Sequence, residues 1–74
     1  MPSHVFRKTL VRPPFVRSFE ISLAADAGWH VSERRDGQTV QHHIADWHRV
    51  ERAATRFAQD IAALQRDGWE ELPN

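Results

Sequence analysis

The sequence predicts an α+β fold: a three-stranded antiparallel meander with one C-terminal α-helix packed on one face, in the order β-β-β-α. Three observations predict it. Between Asp46 and Trp69, apolar residues fall at Trp47, Val50, Ala54, Phe57, Ala58, Ile61 and Leu64, the three/four spacing of one helical face. From Phe15 to Ile44, three short stretches alternate apolar and polar, the period of half-buried strands. Asp36-Gly37 separates the last two as a hairpin signal, because a type I′ turn needs positive φ at both central residues.

Residues 1–14 follow neither period and read as a basic N-terminal arm or a fourth edge strand, the latter over Val5 to Val11. Pro13 and Pro14 lack N–H groups and restrict the residue before each, so they separate this stretch from the domain at 15–74. Strands are expected at about 16–23, 29–35 and 38–44, and the helix at about 47–67. Asp46 stands at the N-cap, where its carboxylate can accept a first-turn N–H. Gly68 stands at C′, with Trp69 after it placed to fold back on Leu64 in a Schellman stop. Glu70 to Asn74 reads as a short polar tail.

The register follows from the turns. A two-residue turn at Asp36-Gly37 sets Trp29 against Ile44, Val31 against His42 and Glu33 against Val40. A first loop centred on Asp26 sets Leu23 against Trp29, Ile21 against Val31 and Phe19 against Glu33. Both hairpins thus send the large apolar residues to one face, and a one-residue slip would invert it. The opposite face is polar and open.

Composition narrows the function classes. Seventy-four residues form one small domain with a modest core, and there is no cysteine for a disulfide or thiolate metal site. Oligomerisation is the remaining device for such a chain. Ten basic and ten acidic residues balance, yet residues 1–17 hold Arg7, Lys8, Arg12 and Arg17 with no acid. No stretch is long and apolar enough for a membrane span or a signal peptide, so a cytoplasmic location is expected. No Gly-rich phosphate loop or HExxH spacing is present, and an enzyme is not expected. Ser22 and His30 are strand neighbours on the open face, without an orienting acid. His30 faces His43 there, half a zinc site at most, with a third ligand to come from His4, Glu20 or a second chain. The pair is read as bare, and neither metal nor cofactor is expected.

Two binding surfaces are candidates. Arg49, Arg52 and Arg56 form a stripe on the helix and, with Arg7, Lys8 and Arg12 of the arm, are candidate nucleic-acid contacts. A helix over residues 47–67 spans ~31 Å, against ~23 Å for strands of about seven residues. The overhang carries Ile61, Leu64 and Trp69, candidates for self-association in a homodimer unless Phe6 and Leu10 of the arm cover them. The strand over 38–44 adds an edge that neither Pro nor Lys blunts.

The Phe19-Glu20-Ile21 strand, the Gly28-Trp29 strand start, the helix and its Gly68-Trp69-Glu70 exit are similar in layout to bacterial WGR domains, over roughly Phe15 to Leu72. That resemblance implies association with nucleic-acid-binding proteins. The Trp-Gly-Arg tripeptide of that family is absent, the corresponding turn reading Arg35-Asp36-Gly37, so no binding residue carries over. The expectation is a small non-enzymatic interaction module that self-associates and binds a protein partner. The alternative is a nucleic-acid-binding accessory domain.

Overall fold

The computed structural model describes residues 4–73. Its elements in chain order are β1 (His4–Arg12), β2 (Phe15–Leu23), β3 (Trp29–Arg35), β4 (Gln38–Ile44), α1 (Trp47–Arg66) and β5 (Glu70–Glu71). All strands pair antiparallel in one sheet of order β4-β3-β2-β1-β5, and α1 covers one face. The α+β class and antiparallel meander hold, but the sheet has five strands rather than three or, with an N-terminal edge strand, four.

The register is the one the turns dictate. Trp29 pairs with Ile44, Val31 with His42 and Glu33 with Val40, while Leu23, Ile21 and Phe19 pair with Trp29, Val31 and Glu33. Asp36 and Gly37 take φ of 49° and 90°, as a type I′ turn requires. The Asp36 N–H donates to the Val16 carbonyl (3.1 Å) and its carboxylate accepts from the Val16 N–H (3.2 Å), tying the turn to β2. At the helix start, the Asp46 carboxylate accepts from the His48 N–H at 2.9 Å. At its end, Gly68 donates to Gln65 and Trp69 to Leu64, the two bonds of a Schellman stop, with Gly68 at φ +93°.

The N-terminal stretch is a strand and not a separate arm. β1 pairs with β2 along its length, and a turn with a cis Pro13-Pro14 bond joins them. Its period is masked because its helix-side row, Phe6, Lys8, Leu10 and Arg12, mixes apolar and cationic residues. Lys8 tolerates that row through an ion pair with Glu71 at 3.0 Å. Nor is β1 an edge throughout: β5, in the stretch read as a polar tail, pairs with Leu10 and Val11, and the Leu72 N–H extends the ladder to the Thr9 carbonyl.

These additions remove the length mismatch. β1 and β2 have nine residues each, or ~30 Å, and the twenty residues of α1 also span ~30 Å. Leu10, Phe19, Ile21, Val31, Ile44, Val50, Phe57 and Ile61 form the buried core, with Phe6, Leu64 and Trp69 packed against it. The Phe57 ring meets Phe19 at 5.0 Å and Phe6 at 6.1 Å, so the middle of the helix packs over β2 and its side chains reach β1.

Leu10 is fully buried, and Leu10→Ala should cost ~2–5 kcal/mol. Against a stability of about 5 kcal/mol, urea denaturation should show most of the fold's margin gone. A midpoint equal to wild type would mean that β1 is a detachable arm.

Candidate functional site

Beyond Ile44, the helix side of β4 is uncovered. Val40 is 57% exposed and His42 is exposed, although both stand on the same face as the buried Ile44. An open hollow of about 650 Å³ lies between α1 and β4, lined by Val31, His42, Ile44, Arg49, Arg52 and Arg56 among others. His42, on the inward face by register, is exposed for this reason.

β4 is the outer strand of the sheet. Arg35 and Gln38 flank the two-residue turn and form its hydrogen-bonded pair, so Gln38, Val40, His42 and Ile44 direct their N–H and C=O groups at β3. Thr39, Gln41 and His43 direct theirs outward. Among the described residues, no hydrogen bond occupies the outward groups of Thr39 and Gln41. Neither Pro nor Lys interrupts the strand.

The arginine row is partly free. Arg49 and Arg52 make no ion pair among the described residues, and Arg56 stands 3.9 Å from the Glu33 carboxylate. Glu33 also binds Arg17 at 2.8 Å, and the Arg17 guanidinium lies over the Phe19 ring. This cluster explains a carboxylate on the apolar face. Its signal was present in the sequence, since Glu33 and Arg17 both fall on inward positions.

The other candidate nucleic-acid residues do not join the row. Arg7 lies on the open face 3.8 Å from Glu20, Lys8 binds Glu71, and Arg12 binds Asp67 at 3.3 Å beside the helix end. Among the candidate self-association residues, Ile61 is buried in the chain's own core, and Leu64 and Trp69 are half-buried against it. Phe6 and Leu10 of β1 pack in the same core and cover this end of the helix, the alternative to a second copy.

The His30 and His43 rings meet edge to face, 5.5 Å apart. His43 Nε2 lies 2.6 Å from the Ala27 carbonyl, so that nitrogen carries the proton and donates, clamping the 24–28 loop to β4. The clamp is tight: a Cβ on Gly28 would lie 2.7 Å from the Ile44 carbonyl oxygen. Backbone N–H bonds from its own residue and Ala27, and secondarily the charges of His43 and His30, hold the Asp26 carboxyl below 3.8. Stability from that shift is present above 3.8 and is lost as pH falls through the lower folded-state value. Ser22 pairs with His30 in the ladder, with no hydrogen bond between their side chains. Among the described residues no three His, Asp or Glu side chains form a metal-holding group. No described helix is long and apolar enough to cross a membrane.

Comparison with protein-family models, with curated proteins and with solved structures returns no match to this chain, so the likeness to WGR domains stays one of layout.

With its Nε2 already committed to Ala27, the His30–His43 pair should not take up metal. Stoichiometric Zn²⁺ should leave the melting temperature unchanged in a thermal scan. A rise that His43→Ala removes would reveal a site.

Proposed function

We propose that the chain is a small non-enzymatic interaction module that receives a segment of another polypeptide along β4. The observation that carries this reading is the outward row of Thr39 and Gln41 on an unblocked edge, beside an uncovered hollow. Strand addition draws affinity from main-chain hydrogen bonds and specificity from pockets for alternate side chains, and β4 with its hollow supplies both. Soluble proteins ordinarily blunt such an edge with charge, Pro or a covering loop. A second copy of the chain is one source of the added strand, which is the form self-association takes on this surface.

Nucleic-acid binding is the second reading, favoured by the unpaired Arg49 and Arg52. It has less behind it, because Arg7, Lys8 and Arg12 are committed to acids of the same chain. If phosphates are the target, affinity for random DNA should fall steeply and linearly in log salt.

The edge is tested by a substitution that spares the fold. The Gln41 N–H makes no ladder bond to β3, so Gln41→Pro blocks the outward side while leaving the sheet paired. Peptides selected from a random display library should bind wild type, slow amide exchange at Thr39 and Gln41, and lose binding to Gln41→Pro. Binders indifferent to that change would refute the assignment.

A further inference from the structure

We infer that the segment β4 receives is acidic: an extended polypeptide carrying carboxylates at alternate positions, paired antiparallel or parallel to β4 with those carboxylates on the helix side. This rests on the reading of β4 as the binding edge and names the chemistry of its partner.

Charge in the hollow is one-sided. Its lining holds three arginines and no carboxylate, on a chain whose basic and acidic residues balance at ten each, and the ring of its His43 lies on the open face against Ala27. Glu33 reaches only the Arg56 end, at 3.9 Å, and is already bound at 2.8 Å by Arg17. The Arg49 and Arg52 guanidinium groups therefore face the hollow without a counter-charge. A ligand supplying carboxylates there gains charge-assisted hydrogen bonds that the free protein lacks.

The spacings agree with a strand. From Arg49 to Arg56 the helix rises ~10.5 Å. Alternate residues of a strand lie ~6.7 Å apart on one face, so two or three successive helix-side positions run the length of the row. The intervening side chains would continue the open face beside Thr39, Gln41 and His43. On the helix side, the exposed Val40 offers one apolar neighbour among the cationic ones.

Charge also discriminates among occupants. A second copy pairing β4 to β4 about a two-fold axis would set one arginine row toward the other across the junction, and like charges oppose that arrangement. A single-stranded nucleic acid satisfies the arginines but also calls for aromatic platforms on which bases stack. Trp29 and Trp47 pack on each other at 5.1 Å instead. At ~100° per residue, Trp47 falls on the other side of the buried stripe from Arg49 and Arg56. A strand edge has main-chain donors and acceptors for a peptide and none of the platforms that a base requires.

The test uses the full chain and two short synthetic peptides: one with glutamate at every second position and valine or threonine between, the other with each glutamate replaced by glutamine. Binding is measured by calorimetry, and amide shifts report the site. The glutamate peptide should bind with shifts centred on Thr39 and Gln41, weaken as salt rises, and exceed the glutamine peptide by about tenfold, the sum of two or three exposed ion pairs. The variant carrying both Arg49→Gln and Arg52→Gln, at exposed positions, should erase that preference while retaining a wild-type melt. It keeps the proposal falsifiable even if Gln41→Pro fails to fold. Equal binding of both peptides, abolished by Gln41→Pro, would overturn the acidic partner and leave the β4 reading standing. Binding of neither peptide, or binding that survives Gln41→Pro, would overturn both. Displacement of the glutamate peptide by an equimolar thymidine oligonucleotide would assign the row to nucleic acid. Light scattering near twice the 8.6 kDa chain mass, reverting to monomer in Gln41→Pro, would assign the edge to a second copy.

Discussion

The two-residue turn at Asp36-Gly37 determines which way every group on β3 and β4 points. With both residues at positive φ, Arg35 and Gln38 must form the first hydrogen-bonded pair, and the rest of the ladder follows in steps of two. That choice puts Val31 and Ile44 under the helix. The same choice turns the main-chain groups of Thr39 and Gln41 to the outside. Core and candidate interface are thus two consequences of one turn. A slip of one residue would bury His30 and Ser32 and also redirect the outer hydrogen-bonding row.

A second constraint is how α1 lies on a sheet of unequal strands. It begins immediately after β4 and needs ~30 Å of apolar surface, which only the nine-residue β1 and β2 provide. Its apolar stripe therefore follows Phe19, Ile21 and Leu10 rather than the last strand of the meander. β4 is stabilised through its ladder with β3 and through Ile44, and its remaining helix-side positions stay in solvent. The arginine flank of the helix overlooks that bare strand.

The meander and helix were legible because their signals are local. Alternation, a hairpin dipeptide, an N-cap carboxylate and a C′ glycine each act within a few residues. β1 and β5 were not legible in the same way. β1 carries Lys8 and Arg12 on its inner row, and their neutralisers Glu71 and Asp67 lie more than fifty residues away. β5 is two glutamates that form a strand only because β1 is there to pair with. The candidate site was half legible. The arginine stripe and the unblunted edge could be read from spacing, but their meeting in one hollow depends on where α1 lies on the sheet, which no local pattern encodes. Which of the two covers lies over the helix end, Phe6 and Leu10 or a second copy, was open in the sequence for the same reason: the covering strand stands at the other end of the chain.

The two margins of the sheet differ in kind, and the difference bears on what each can receive. β5 closes the far side with Glu70 and Glu71, a short acidic extended segment of the type that β4 is inferred to bind. It is already engaged. Glu71 is held by Lys8 at 3.0 Å, the Leu72 N–H by the Thr9 carbonyl at 2.8 Å, and Trp69 is anchored against the core. Releasing it to serve a neighbour's β4 would strip β1 of its cover and expose the helix stop. The chain thus satisfies its acidic strand internally on one side while its cationic edge stays open on the other. That asymmetry favours a foreign segment over an array of copies that exchange β5, because such an array would break at every junction the contact that completes each fold.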